Sequence, residues 1–332
     1  MARRWILPAL LALSFILSLA IPRLGWLNDY NQLILVYIGI NIILTVSLNL
    51  VNGYMGEFSV GHAGLMAVGA YVSALLSVRV VAPGLGPWLF PLIVTAGGLA
   101  AALIGMVIAL PSFKTRGDYL AIVTLAFNMI VKSVIENIDA VGGPRGFMGM
   151  DKLTTLPTVF CWTVVAVWVI RNFVYSKYGR GVLAIREDEI AGELMSVSTR
   201  KVKFLAFGLS SFFAGVAGAL FAHVLLFINP GSFGLVKSTE VLIMVYLGGI
   251  GSLAGSILGA TIYTVLLEKL RWMGAWRMVL MPLMLVLLML FRPRGIMGLR
   301  ELRWLVPRRD LKLPAPPAPR SAEEVARGAA QS

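Results

Sequence analysis

Apolar runs separated by short polar stretches alternate along most of the chain. An α-helix crosses the hydrocarbon core of a membrane in about 20 residues, because each residue adds about 1.5 Å to a path of about 30 Å. Nine runs approach this length, at residues 5–21, 33–51, 59–78, 89–110, 119–135, 159–173, 204–228, 239–267 and 278–291. The pattern therefore predicts an all-α, polytopic membrane helix bundle.

The eighth run, residues 239–267, is too long for a single straight crossing. At about 1.5 Å per residue it would extend roughly 44 Å, and Gly248, Gly249 and Gly251 interrupt it. A split at these glycines gives about ten transmembrane helices, with eight or nine as alternatives. Because both halves are short, a tilted or partly re-entrant pair is also compatible with the pattern.

Composition and charge support a membrane protein and set its orientation. Apolar residues make up 58% of the 332 residues, the mean hydropathy is +0.84, and the formal net charge is +13. The basic residues cluster in short loops and near the C-terminus, which indicates orientation in a membrane and no nucleic-acid partner. The dense clusters lie at residues 3–4, 114–116, 177–203 and 292–312. An even number of crossings places all of them, and both termini, in the cytoplasm.

The two ends of the chain differ from the middle. Residues 1–312 are predicted to form the transmembrane domain, with a cytoplasmic segment at 177–203, and residues 313–332 to form a disordered cytoplasmic tail poor in large apolar side chains. Near the start, two arginines, an apolar run and Ser18-Leu19-Ala20 resemble a cleavable signal peptide. We expect this run to be retained as a membrane anchor, with cleavage as the alternative.

Few polar residues fall at positions where they could act within the membrane. Asn128 is predicted near mid-depth and is a candidate for a translocation path, although a hydrogen bond between helices explains it equally well. His62 lies near the cytoplasmic end of its helix, where an ordinary interfacial role competes with a place on the path. Lys132 and Glu136 are spaced for a structural ion pair, with a substrate contact as the alternative. No metal-ligand cluster and no nucleophile–base pair is apparent, so no catalytic residue is predicted.

Small residues repeat at four-residue spacing in two of the predicted helices. Such rows let helix backbones approach closely inside a membrane, so they predict helix packing. The rows are Gly251, Gly255 and Gly259, and Ser210, Ala214 and Gly218. The sequence GIGSLA at residues 249–254 also satisfies a dinucleotide-binding pattern, but it lacks the strand–turn–helix context that this pattern needs. The chain has no G-x-x-x-x-G-K-[ST] loop, so any ATP that drives it must be bound by another chain.

Residues 184–203, AIREDEIAGELMSVSTRKVK, form the one long charged stretch inside the apolar sequence. We predict a surface amphipathic helix over residues 184–197. Its apolar stripe contains Ile190, Ala191, Leu194 and Met195, and its acidic side contains Glu187, Asp188, Glu189 and Glu193. A helix that lies on anionic lipid is usually rich in lysine and arginine, whereas Arg186 is the only base in the centre of this one. The helix is therefore predicted to dock on a protein.

Residues 179–220, GRGVLAIREDEIAGELMSVSTRKVKFLAFGLSSFFAGVAGAL, resemble the signature region of branched-chain amino acid ABC transporter permeases of the LivM type. Three further stretches resemble the same family in the same order. They are GEFSVGHAGLMAVGAY at residues 56–71, KTRGDYLAIVTLAF at 114–127 and STEVLIMVYLGGIGSLAGSILGA at 238–260. The resemblance extends over roughly residues 30–300, and ordered agreement of this kind is more specific than any single short motif.

The resemblance implies an ABC importer permease fold in the bacterial cytoplasmic (inner) membrane. The implied partners are a second, LivH-type permease, two cytoplasmic ABC ATPases that bind ATP and Mg²⁺, and an external solute-binding protein; this chain would bind no cofactor. The charged stretch would be the ATPase-coupling helix, with the residues Arg186, Glu187, Asp188, Glu189, Ala191, Gly192, Glu193 and Ser196. In the common E-A-A-x-x-x-G pattern of ABC permeases only Ala191 matches, because Ile190, Gly192 and Ser196 occupy the other positions.

The expected function is ATP-driven import of branched-chain amino acids. Similar permeases carry urea or short amides, which is the alternative within the same family. An energy-independent facilitator or channel, and an assembly subunit without a path, are the rivals from other classes. The predicted external loops at residues 141–149 and 229–234 are either contact sites for the solute-binding protein or plain connections.

Overall fold

The structure is a computed structural model that describes residues 18, 20, 28–81, 85–112, 119–194, 198–291, 295–298 and 301–302. Within these residues the chain forms eleven α-helices. They are α1 (Asp29–Asn49), α2 (His62–Arg79), α3 (Gly86–Ser112), α4 (Tyr119–Glu136), α5 (Leu156–Val174), α6 (Lys177–Glu187), α7 (Glu189–Leu194), α8 (Thr199–Leu225), α9 (Leu235–Gly248), α10 (Leu253–Lys269) and α11 (Arg277–Phe291). The predicted anchor at 5–21 and the tail at 313–332 lie almost entirely outside the described residues.

Several helices are long and apolar enough to cross a membrane. Among the described residues there are six, at Asp29–Tyr54, His62–Arg79, Gly86–Leu110, Leu156–Val174, Thr199–Leu225 and Leu253–Gly274. A seventh arises if Leu120–Glu136 and the short turn Asp139–Arg145, which is bent from it by 86°, form one span. The prediction of an all-α, polytopic bundle is confirmed. The count of about ten stays a prediction, since α9 and α11 have only 14 and 15 residues.

The core of the bundle lies where α2, α3 and α8 cross. Gly69, Gly97 and Gly215 meet there, backbone against backbone. A Cβ added to Gly97 would lie 2.8 Å from the carbonyl oxygen of Gly69, and one added to Gly215 would lie 2.8 Å from that of Gly97. Atoms this close cannot be accommodated without separating the helices, so the three glycines set the distance between α2, α3 and α8.

The small-residue row predicted on α8 lies at contacts with neighbouring helices. Ala214 is completely buried, and a Cβ on Gly218 would collide with the backbone carbonyl of Met66 in α2. Ser210 donates a hydrogen bond of 2.6 Å to the carbonyl oxygen of Ser47 in α1. The row therefore holds α8 against both α1 and α2.

Helices α9 and α10 form a tight antiparallel hairpin, with the predicted break between them. Gly248 packs on Gly255 and Met244 packs on Gly259, so the contacts run in opposite directions along the two helices. The chain reverses at Gly249, whose φ of 139° lies in the region that favours glycine. Gly255 and Gly259, for which the sequence predicts a packing role, both lie in this contact.

Gly251 differs from its prediction as a member of a helical row. It precedes the first residue of α10, Leu253, and adopts a φ of 76° in the turn. Its N–H donates a hydrogen bond of 2.9 Å to Oδ1 of Asn49, whose Nδ2 donates to the carbonyl oxygen of Ser252 at 2.9 Å. Four-residue spacing alone did not reveal the turn, because the start of α10 is set by the cap at Ser252, which accepts from the Gly255 N–H.

Candidate coupling site

The charged stretch forms two helices, so the prediction of one amphipathic helix over residues 184–197 is wrong. Helix α6 ends at Glu187 and α7 begins at Glu189. Between them Asp188 is extended, with φ −158° and ψ 114°, and its Oδ1 accepts hydrogen bonds from the N–H groups of Ile190 and Ala191 at 2.9 and 3.1 Å. An aspartate that caps the next helix in this way stops the preceding one. Residues 195–197, which include the predicted Ser196, lie outside the described residues.

Helix α7 presents an apolar surface that the described residues do not cover. Ile190 is 63% exposed and Leu194 is 81% exposed, and Ala191 between them is also exposed. The acidic Glu187, Asp188 and Glu193 are exposed beside them. Large apolar side chains with this exposure, bordered by acidic groups, are typical of a protein contact surface.

Gly192 does not belong to that surface. It is buried, and a Cβ at this position would lie 3.9 Å from Cγ1 of Ile185, in ordinary contact. Gly192 therefore lies on the side of α7 that packs against α6, opposite to the exposed apolar residues. At the end of α7, Glu193 accepts a hydrogen bond of 2.9 Å from Thr199, the first residue of α8.

Lys203 joins α7 to the membrane bundle. Its Nζ lies 2.8 Å from Oε1 of Glu189 in α7 and 2.8 Å from Oε1 of Glu57 in the loop between α1 and α2. The lysine side chain, in the first turns of α8, is only 7% exposed. A charge removed from water to this degree is stable only when it is paired and hydrogen-bonded. The three side chains therefore fix α7, α8 and the α1–α2 loop relative to one another.

Arg186 points inward from α6 instead of toward a partner. Its guanidinium donates to the carbonyl oxygen of Gly53 at 3.2 Å and pairs with Glu187 at 2.7 Å. Its aliphatic stem packs on Gly56, where a Cβ would lie 2.6 Å from Cγ of Arg186. Gly53 belongs to a π-helical turn, Leu50–Tyr54, that continues α1. Such turns are rare and occur often at functional sites, so α6 contacts α1 at a position suited to bending.

Residues 295–298 and Glu301 contact the α9–α10 hairpin, and Glu301 also contacts that π-helical turn. Oε1 of Glu301 accepts from the hydroxyl of Tyr54 at 2.8 Å and from the N–H of Leu253, and Oε2 accepts from the N–H of Ala254 at 3.4 Å. A carboxylate at these two N–H groups caps the positive end of α10. The N–H of Met297 also donates to the carbonyl oxygen of Gly248 at 3.0 Å. The hairpin is thus attached to the same end of the bundle as α6 and α7.

A Glu301→Ala substitution tests this cap. We expect it to lower the free energy of unfolding by about 1–3 kcal/mol, because two N–H groups and a phenol lose their acceptor. Unfolding of the purified chain in increasing SDS measures the change. Glu136→Ala is the matched control, since Glu136 forms an exposed ion pair with Lys132 at 3.7 Å, and its removal should change stability by less than about 1 kcal/mol. Equal losses in the two variants would contradict the capping role.

The two candidate path residues are buried at separate helix contacts. His62 is 2% exposed, and its Nε2 lies 2.8 Å from Oγ of Ser47. Asn128 is 1% exposed and donates from Nδ2 to Oγ of Ser238 at 3.2 Å, while its Oδ1 has no hydrogen-bond partner among the described residues. The structure does not bring His62 and Asn128 into one site, and a role in translocation stays a prediction for both.

The contacts of this site join separate structural elements of the chain. Among the described residues no group of three or more His, Cys, Asp or Glu side chains could hold a metal ion. The groups that do cluster are Glu57, Glu189 and Lys203, which are mutually paired, and Glu301, which caps a helix. Each of these contacts joins two structural elements, so a displacement of α7 would act on α8, on the α1–α2 loop and, through α6, on the π-helical turn.

Comparison with known proteins identifies the family. A family model described as "Branched-chain amino acid transport system / permease component" matches residues 31–289. The chain is 33% identical over 325 residues to the high-affinity branched-chain amino acid transport system permease protein LivM of Escherichia coli (strain K12), covering 85% of this chain and 74% of the relative. It is 35% identical over 294 residues to LivM of Salmonella typhimurium, covering 78% and 68%.

A second type of relative is more distant. The high-affinity branched-chain amino acid transport system permease protein LivH of Salmonella typhimurium is 25% identical over 288 residues, covering 78% of this chain and 91% of the relative. No solved structure matches the chain. The family model covers most of the described bundle, and the greater identity is to relatives named LivM. The chain therefore belongs to the family of branched-chain amino acid transport system permeases, and within it to the LivM type.

Proposed function

We propose that this chain is the LivM-type permease subunit of an ATP-driven importer for branched-chain amino acids. It would form the translocation path with a second, LivH-type permease and be driven by two separate cytoplasmic ABC ATPases. ATP and Mg²⁺ would bind to those partners. The observation that carries the proposal is the exposed apolar surface of α7, which the Glu57–Lys203–Glu189 ion pairs connect directly to the membrane helices.

In this mechanism the ATPases bind the surface formed by Ile190, Ala191 and Leu194. ATP binding brings the ATPases together and displaces α7, and the Lys203 ion pairs carry that displacement into α8. Arg186 transfers the motion of α6 to the π-helical turn of α1 through the carbonyl of Gly53. The ATPases can shift the path between inward-open and outward-open states only if they contact those states differently, because a partner that binds both equally shifts nothing.

The opposite end of the bundle would receive the cargo from a solute-binding protein. The loops at residues 141–149 and 229–234 lie side by side there, since β1 (Phe147–Met148) and β2 (Phe227–Ile228) pair in an antiparallel ladder. Asn229 also donates to the carbonyl oxygen of Pro144 at 3.4 Å. Two loops joined in this way form one surface, which supports a docking role for both. If the external solute-binding protein selects the cargo, the translocation path itself needs few charged side chains.

The proposed topology has about ten crossings in the bacterial inner membrane, with both termini in the cytoplasm. It is supported by the basic clusters of the sequence, which fall at residues 177–203 and 292–312. It is also supported by the contacts of residues 295–298 and Glu301 with the end of the bundle that carries α6 and α7. In this arrangement α9 and α10 are two short, tilted crossings or a re-entrant pair.

Leucine uptake by a reconstituted complex tests the proposal. Proteoliposomes would contain this chain, its candidate partner permease, both ATPases and the binding protein, and radiolabelled leucine would be counted with and without ATP. We expect uptake only when ATP and the binding protein are both present. Uptake without ATP would contradict an importer and indicate a facilitator. Uptake of urea or short amides, with none of leucine, would contradict the proposed substrate.

An Ala191→Arg substitution tests the docking surface. Because Ala191 is exposed on α7, the arginine should leave the bundle folded but hold the ATPases away from Ile190 and Leu194. We expect ATP-driven uptake to fall by about tenfold or more, the effect of a loss of about 1.4 kcal/mol in productive binding. Ala184→Arg, at an exposed alanine of α6, is the matched control and should retain most of the uptake. Normal uptake by Ala191→Arg at normal protein levels would count heavily against docking at α7.

A further inference from the structure

A cavity of about 260 Å³ lies at the other end of the bundle from the coupling site. It is lined by the start of α9, the last turns of α10 and the start of α11, and it is partly open. Helix α10 begins beside Glu301 and Tyr54, and its 17 residues extend for about 25 Å, so its far end is separated from α6 and α7 by most of the membrane. Trp272 and Trp276, exposed just beyond α10, are typical of a membrane–water boundary.

The wall of this cavity combines apolar surface with two opposite charges. Leu235, Ile243 and Leu267 supply apolar side chains, while Glu240 and Arg277 bring a carboxylate and a guanidinium to the same space. The cavity is several times the volume of about 30 Å³ that one water occupies, and it lies just below the range of about 300–1,000 Å³ typical of drug-sized ligands. A small molecule with few heavy atoms therefore suits it.

Tyr263 provides an independent sign of a ligand. It lines the cavity and is only 1% exposed, yet its hydroxyl has no hydrogen-bond partner among the described residues. Buried hydroxyl groups are normally paired with protein or with ordered water, so this hydroxyl is open to a polar partner in the cavity. Glu240 is partly engaged, since its Oε2 lies 2.9 Å from Nζ of Lys237. Its second oxygen, the Tyr263 hydroxyl and the Arg277 guanidinium are polar groups that the cavity offers. The hydroxyl of Thr239, which also lines the cavity, donates to the carbonyl oxygen of Leu235 at 2.9 Å.

We propose that this cavity is a transient binding site for a free amino acid with an apolar side chain. The carboxylate of the amino acid would pair with Arg277 and accept from the Tyr263 hydroxyl, its ammonium would pair with Glu240, and its side chain would lie against Leu235 and Ile243. The site would be the first place on the permease where cargo leaves the solute-binding protein. This inference rests on the proposed function, because it assumes that amino acids are the cargo.

A phospholipid headgroup with a phosphate and a primary ammonium, as in phosphatidylethanolamine, offers the same pair of charges. The small volume favours the amino acid, since a phospholipid would have to place its two acyl chains outside the cavity. The experiment must still distinguish a bound free amino acid from a bound phospholipid headgroup. It therefore uses the whole transporter complex in nanodiscs made of phosphatidylcholine and phosphatidylglycerol only.

Saturation-transfer-difference NMR with L-leucine is the measurement, because it detects affinities on the order of millimolar. We expect a saturable signal in the absence of the solute-binding protein. Glu240→Gln should weaken it by about tenfold and Tyr263→Phe by about threefold, since they remove an ion pair and one hydrogen bond. Glu136→Gln, which disrupts the comparable Lys132 ion pair elsewhere, should leave it unchanged.

No leucine signal from the wild-type complex, or the same signal from all four proteins, would overturn the inference. Loss of the leucine signal when phosphatidylethanolamine is added to the nanodiscs would also overturn it and assign the cavity to lipid.

Failure of the proposed function would give a different set of results. If another amino acid, but not leucine, gives the signal and is imported, the cavity site stands and the proposed substrate is wrong. If leucine is imported normally by Glu240→Gln and Tyr263→Phe with unchanged KM, the proposed function stands and the cavity site is wrong.

Discussion

Lys203→Met is expected to abolish most ATP-driven uptake while the ATPases continue to hydrolyse ATP. The lysine holds Glu189 of α7 and Glu57 of the α1–α2 loop, both at 2.8 Å, so its loss detaches α7 from two elements of the bundle at once. The two carboxylates are then left facing each other without a cation, which adds repulsion to the lost contacts. We expect uptake to fall by about tenfold or more, the equivalent of about 1.4 kcal/mol of lost coupling.

Lys132→Met is the matched control for this prediction. Lys132 also pairs with a glutamate, Glu136, but the pair is exposed and lies on α4, away from α7. Its removal should alter uptake by less than about twofold, because exposed ion pairs contribute little. A conservative Lys203→Arg substitution keeps the charge and should restore part of the uptake. If Lys203→Met transports leucine as efficiently per ATP as the wild type, α7 is not coupled through this residue.

Gly215→Ala is expected to have the largest effect on stability. Its added Cβ would lie 2.5 Å from Cβ of Ala101 and 2.8 Å from the carbonyl oxygen of Gly97, where α8 meets α3. Backbone atoms cannot move aside as a flexible side chain can, so the helices must separate. Overpacking in a well-packed core costs about 1–3 kcal/mol, and contact with a backbone carbonyl places this site at or above the upper end. We expect much less folded protein and an SDS unfolding transition at clearly lower SDS.

Gly208→Ala in the same helix is the matched control. A Cβ there would lie 3.5 Å from Cγ of Met106, which is ordinary van der Waals contact. Because alanine also restricts the unfolded chain, this variant should be unchanged or more stable by about 0.4–1 kcal/mol. Two alanine substitutions in one helix should thus have opposite effects. Similar stability of Gly215→Ala and Gly208→Ala would contradict the glycine crossing as the element that sets the helix distances.

Local sequence patterns predicted those features of the fold that are determined by residues close together in the sequence. Apolar runs of near-spanning length located the helices, since hydropathy and helix rise act over consecutive residues. Gly248, Gly249 and Gly251 predicted the break between α9 and α10. Two of them, Gly249 and Gly251, adopt a positive φ, which favours glycine. The small-residue row on α8 predicted close packing, and Gly218 lies against the Met66 backbone.

The contacts that build the candidate site could not be predicted in the same way. Glu57 and Lys203 are 146 residues apart, and Tyr54 and Glu301 are separated by 247. No spacing rule relates residues at such separations, because only the folded bundle brings them together. Asp188 is different, because an aspartate just before a helix is a local signal for a cap. The same acidic residues also fit one face of a continuous helix, and that interpretation hid the break.

The number of crossings depends both on local sequence patterns and on the packing of the folded bundle. The sequence predicts about ten from charge and parity, whereas length and hydropathy of the described helices give six, or seven with the bent pair at Leu120–Glu136 and Asp139–Arg145. Helices α9 and α11 cause much of the difference, since neither reaches the about 20 residues of a straight crossing. The tight packing of α9 on α10 lets a short helix contribute to the bundle core without spanning the bilayer by itself.

In the proposed mechanism, α7 couples ATP hydrolysis to movement of the membrane helices through Lys203. The most direct test is the number of leucine molecules imported per ATP hydrolysed, measured in the same proteoliposomes for the wild type, Lys203→Met and Lys132→Met. We expect this ratio to fall by about tenfold or more in Lys203→Met, with ATP hydrolysis retained, and to be unchanged in Lys132→Met. An equal ratio in all three proteins would contradict it.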